Sequence, residues 1–168
     1  MKKLLFLAAI AFVGSMFVPT DATAQKKSPH ETVTHKGIVV DYGRPYKKGR
    51  EIFGGLEKYG KVWRTGADSA TMITFPKDVT VGGKPVKAGR YNLFTIPNEK
   101  EWTIILNSEL GQWGAYNYDK IKGKDVLQVT VPAKKLDAVV EQLTISFTPK
   151  NDLVIAWDQT QVSVPIKL

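Results

Sequence analysis

The sequence contains no cysteine, which excludes disulfide bridges, thiol nucleophiles, iron–sulfur clusters and cysteine-ligated zinc. Histidine is nearly as scarce. His30 and His35 are the only two, leaving little imidazole for metal binding or proton transfer. Acidic residues are outnumbered, 16 Asp and Glu against 24 Lys and Arg, for a formal charge of +8. No internal repeat or low-complexity tract is present. The familiar catalytic signatures are missing too: no Gly-x-Ser-x-Gly elbow, no His-Glu-x-x-His, no phosphate-binding loop and no dinucleotide fingerprint. That absence weighs little against an enzyme, because catalytic groups converge in space rather than in sequence.

Long apolar runs are confined to Leu4–Val13, ten residues, where a membrane span needs about twenty. Lys2 and Lys3 precede the run, Gly14 and Pro19 break it, and Ala22-Thr23-Ala24 follows as an Ala-x-Ala cleavage signal. The pattern reads as a secretory signal peptide over residues 1–24, with no transmembrane segment after cleavage. The lack of cysteine excludes a lipoprotein anchor. Residues 25–168 are then one all-β domain, periplasmic or secreted. Cleavage removes two lysines and one aspartate, so the charge of +8 becomes +7. Outside the cytoplasm the counter-charges for a basic chain are acidic glycans or anionic headgroups, and nucleic acid is not an expected partner.

At 43% hydrophobic and 24% charged, the chain has the composition of a globular domain. After a polar lead-in to about Thr34, period-2 alternation dominates. Ile38, Val40 and Tyr42 share one strand face, and Ala70–Phe75 forms another strand. Val79–Val81 and Lys84–Val86 flank Gly82-Gly83, a two-residue hairpin signal. Arg90–Ile96, Trp102–Leu106 and Val126–Val131 follow, and the end of the chain alternates through Phe147, Leu153–Trp157 and Val162–Leu168. Phe147, Leu153, Ile155, Trp157 and Val164 are expected to share the core. One segment competes: Leu136, Val139, Val140 and Leu143 have helical spacing, though alternation from Leu143 favours a strand beginning near Val139 after one helical turn. About nine short strands and little helix predict a single antiparallel β-sandwich with jelly-roll-like order.

Two glycine-bent stretches, Gly43–Asp68 and Asn107–Asp119, break the alternation, and long loops in a compact β domain are where function concentrates. In the first, Trp63, Arg64 and Asp68 bring an indole, a guanidinium and a carboxylate within six residues, a set that suits an anionic or polar ligand. The same run also reads as an internal Arg64–Asp68 ion pair with Trp63 plugging one end of the core. Arg44 and Arg50 add charge nearby. In the second, Trp113, Tyr116, Asn117 and Tyr118 pair flat rings with a side-chain amide, as a sugar or peptide site does, or as an aromatic cap on a sandwich end does. His30 and His35 lie on opposite faces of an extended strand, so a shared metal needs a turn plus Glu31 or Asp41. They read as ordinary histidines, and no metal or cofactor is expected. Asp68-Ser69-Ala70 also fits a short acceptor pattern for bacterial O-glycosylation.

The two stretches and their surroundings carry a resemblance. Arg44-Pro45, Lys48-Gly49-Arg50, Gly54-Gly55-Leu56 and the run Tyr59–Ala67 resemble the family called domain of unknown function 2911, as do Ala88–Pro97, Glu101–Thr103 and Gly111–Ala115. The resemblance implies an exported bacterial protein and brings no established activity or catalytic residue. Asp68 stands where many members carry Asn, so a ligand there meets a different charge in this chain. The expectation from the residues is non-catalytic binding of a polar ligand, a glycan or other anionic polymer, at a site joining the Arg64 and Trp113 loops. The alternatives are a small enzyme of hydrolase or lyase type using His30, Asp68 or Asp119 as acid–base groups, and a structural or protein-interaction domain.

Overall fold

The computed structural model describes residues 28–168; the expected signal peptide lies outside them. The structure is all-β and antiparallel, with ten strands in two sheets. β1 (His30–His35) and β2 (Ile38–Gly43) form a hairpin over Lys36-Gly37. Both turn residues have positive φ, 49° and 84°, the geometry that matches strand twist in a two-residue turn. β3 (Thr71–Phe75) follows the long loop, and β4 (Val79–Val81) and β5 (Lys84–Val86) turn at Gly82-Gly83 as their sequence predicts. β6 (Gly89–Pro97), β7 (Glu101–Asn107), β8 (Asp125–Phe147), β9 (Leu153–Val164) and β10 (Ile166–Lys167) complete the set. The large sheet runs β1-β2-β3-β6-β7-β8-β9 and the small one β10-β4-β5.

β8 differs from the sequence expectation. It is one strand of 23 residues with no helical turn before Val139. Its first part pairs with β7 as far as Pro132, and from Ala133 it pairs with β9. Register shifts on either side of Val140 bend it, as bulges do, and this is why its apolar spacing imitates a helix. The bend brings β8 round to the segment that leaves β2. The Lys47 N–H donates to the Glu141 carbonyl at 2.7 Å, and the Leu143 N–H to the Pro45 carbonyl at 2.9 Å. The large sheet thereby curls on itself.

Inside the curl, the inward rows of β2, β3, β7, β8 and β9 bury one large core that includes Leu153, Ile155, Trp157 and Val164. Phe147 is only partly buried against it and stacks on His35, ring centroids 5.1 Å apart. A smaller cluster of Ala70, Phe94, Ile105 and Tyr118 lies on the opposite face of β6 and β7. It is covered by the 108–124 excursion and its one short helix, α1 (Tyr118–Ile121). β6 and β7 are therefore apolar on both faces, which accounts for their unbroken Leu93-Phe94 and Ile104-Ile105-Leu106 runs. Among the described residues no helix is long and apolar enough to cross a membrane.

Candidate functional site

The loop between β2 and β3 folds back onto the core. Ile52 and Phe53 anchor it in the core, and Trp63 pins its far arm by exchanging two backbone hydrogen bonds with Thr95, at 2.7 and 3.0 Å. The turn after Trp63 is held tightly. The Ala67 N–H donates to the Gly43 carbonyl at 3.1 Å, so close that a Cβ on Gly43 would sit 2.1 Å from the Ala67 oxygen. Thr71 Oγ1 donates to the Thr65 carbonyl at 2.8 Å, and the two hydroxyls of Thr65 and Thr95 lie 3.1 Å apart. Thr65 and Asp68 both adopt positive φ, 57° and 63°. That is unusual for a β-branched residue, and strain of this kind concentrates where a site is held ready.

What this loop holds is the wall of a cavity of about 1060 Å³. Its charged lining is Lys48, Arg50, Glu57, Arg64 and Asp68; Tyr46 and Leu56 supply apolar surface, and the buried Trp157 lies behind the wall. Arg64 is the anomaly. Its Nε is buried without a hydrogen-bond partner, and among the described residues no carboxylate lies within ion-pair distance of it. A buried unpaired donor costs about 1–3 kcal/mol, more when charged. The Arg64–Asp68 pair open to the sequence reading is not formed. Asp68 Oδ2 instead faces His30 Nε2 at 3.4 Å. Burial pushes the Glu57 carboxyl above its ordinary pKa, against the opposing pull of Arg64 and Arg50.

The remaining expected site residues divide. Trp63 is 2% exposed. Its indole stacks 5.9 Å from Trp157, with Phe53 and Trp102 edge-on, and donates to the Gly66 carbonyl. It is a core residue, packed in the main hydrophobic cluster with three aromatic rings against its own. Tyr118 is likewise buried against Phe94, and its hydroxyl donates to Asp125 at 2.5 Å. Arg44 spends all three nitrogens on Leu143, Glu31 and Thr144, clamping β1 to β8. Arg50 donates to the Lys47 and Tyr46 carbonyls while its charge lines the cavity. Asp119 is exposed opposite Lys122 and does not line the cavity.

The two loops do meet. The Gly114 N–H donates to the Asp68 carbonyl, the Ala70 N–H to the Gln112 carbonyl, and Ser69 pairs across from Trp113. Trp113 and Tyr116 stand 61% and 81% exposed, with Asn117 beside them, outside the cavity wall but one residue from it. The histidines separate: His35 Nε2 lies 2.8 Å from Asn151 Oδ1, far in the chain from the His30 pairing. Glu57, Tyr46 and Trp157 were not legible as site residues. The one signal for Glu57 is that it and Glu51 are the only acids between Arg44 and Arg64.

The family described as "Protein of unknown function (DUF2911)" matches residues 24–166. The chain belongs to this family. No curated protein and no solved structure matches it. For this DUF2911 member, function is therefore read from the cavity itself.

Proposed function

We propose that this DUF2911 chain is exported through its Met1–Ala24 leader and binds an anionic glycan or similar polar polymer in the Arg64 cavity. One observation carries the reading: a guanidinium at the cavity wall with a buried, unpartnered Nε and, among the described residues, no carboxylate within ion-pair distance. A ligand carboxylate supplies the missing acceptor through the planar donor fork, and Arg50 and Lys48 add to the attraction. Tyr46 and Leu56 give apolar surface for a sugar face. A chain leaving the cavity past Asp68 meets Trp113, Tyr116 and Asn117, whose exposed rings and amide offer a second platform at low entropic cost.

The test is calorimetric titration with polygalacturonate, hyaluronan and neutral dextran. Acidic polymers are expected to bind and dextran not to. Arg64→Ala should weaken binding by about tenfold or more, about 1.4 kcal/mol, with the melting temperature held. Equal affinity for dextran, or an Arg64→Ala variant that binds as tightly as the parent, refutes the reading.

A further inference from the structure

The cavity wall, and His30 beside it, carry acid–base groups that simple binding leaves without a role. Asp68 Oδ2 faces His30 Nε2 at 3.4 Å, and since a carboxylate can only accept there, the neutral form of the ring in this contact carries its proton on Nε2 and its lone pair on Nδ1. The His30 side chain is 57% exposed; it is not itself a lining residue and adjoins the cavity through Pro29 before it and Asp68 across from it, both of which line the wall. Glu57 lines the cavity with Arg64, and its burial favours the protonated carboxyl.

Resting on the anionic-glycan reading above, we propose that the cavity cleaves uronate-containing glycans by β-elimination, with Arg64 seating the uronate carboxylate, His30 removing the C5 proton and Glu57 protonating the departing O4. The chemistry closes without a co-reactant. The C5–H bond breaks, its electrons form the C4=C5 double bond, the C4–O4 bond breaks, and O4 takes the Glu57 proton. His30 carries the C5 proton, and exchange with solvent restores both groups. Arg64 matters because negative charge develops on the carboxylate as C5 loses its proton, where a preorganised cation acts most strongly. Hydrolysis gives that guanidinium no such task. Asp68 is a positioning residue, acting through the His30 ring.

The experiment mixes the protein with polygalacturonate or hyaluronan and follows the ultraviolet absorbance of the 4,5-unsaturated uronate end. The parent should generate it steadily. His30→Ala should abolish it while binding the same polymer within about twofold and melting at the parent temperature, since His30 is exposed. Glu57→Gln should abolish it as well. Asp68→Asn, which tolerates the positive φ, should lower kcat by about tenfold or more with KM held. Polymer bound with no absorbance, or reducing ends released without it, overturns the elimination and leaves the binding reading standing. Failure of every acidic polymer to bind overturns both.

Discussion

Replacing Trp63 by Ala separates a core residue from a ligand platform. The side chain is 2% exposed and packs on Phe53, Trp102 and Trp157, and its N–H satisfies the Gly66 carbonyl. Truncating a buried tryptophan costs about 3–5 kcal/mol where the surroundings cannot collapse. Three rings and a pinned backbone make collapse difficult here, so the upper part of that range applies. Loss of the Gly66 hydrogen bond adds about 1 kcal/mol. A total of about 5 kcal/mol corresponds to a drop in melting temperature of about 15 °C for a chain of this size. Urea denaturation followed by circular dichroism measures it, with the m-value as the check on two-state behaviour. Trp63→Phe keeps most of the ring and should lose about 1–2 kcal/mol. A loss below about 1 kcal/mol for Trp63→Ala at unchanged m would contradict the aromatic core as described.

Gly43→Ala should lower stability by about 2–3 kcal/mol and weaken acidic-polymer binding, because its Cβ meets the Ala67 carbonyl that shapes the Arg64 turn. Equilibrium unfolding and calorimetry read the two effects. Burial, then the bond to Asp125, raises the Tyr118 hydroxyl above its ordinary 10.0, so the stability this adds is intact below that pH and declines above it. Tyr118→Phe should lose about 1–2 kcal/mol near neutrality and show a smaller alkaline decline. Glu57 is raised above 4.5, so its contribution is complete below that pH and is lost as pH rises through the folded value. Glu57→Gln should flatten the stability profile in that window.

Strand faces and short turns were readable because alternation and Gly82-Gly83 act locally. β8 was harder, since its pairing with β7 and then β9, and the bend between them, depend on chain far away in sequence. Trp63 and Tyr118 looked like ligand platforms because both sit among glycines in non-alternating stretches. Only the folded chain shows Trp63 turned into the aromatic cluster and Tyr118 turned onto Phe94. Arg64 and Asp68 stood out as adjacent charges, but their failure to pair, and the placing of Glu57 and Tyr46 on the same wall, arise from the fold of the whole 44–70 loop.

The measurement closest to the central claim is the arginine Nε–H resonance during titration with a galacturonate oligosaccharide. Arg64 should shift saturably as its unpartnered Nε gains a carboxylate. Arg44, whose Nε already donates to the Leu143 carbonyl at 2.9 Å, should stay in place as the internal control. If the oligosaccharide binds while the Arg64 resonance stays fixed, or if Arg44 moves and Arg64 does not, the cavity is not the anion site.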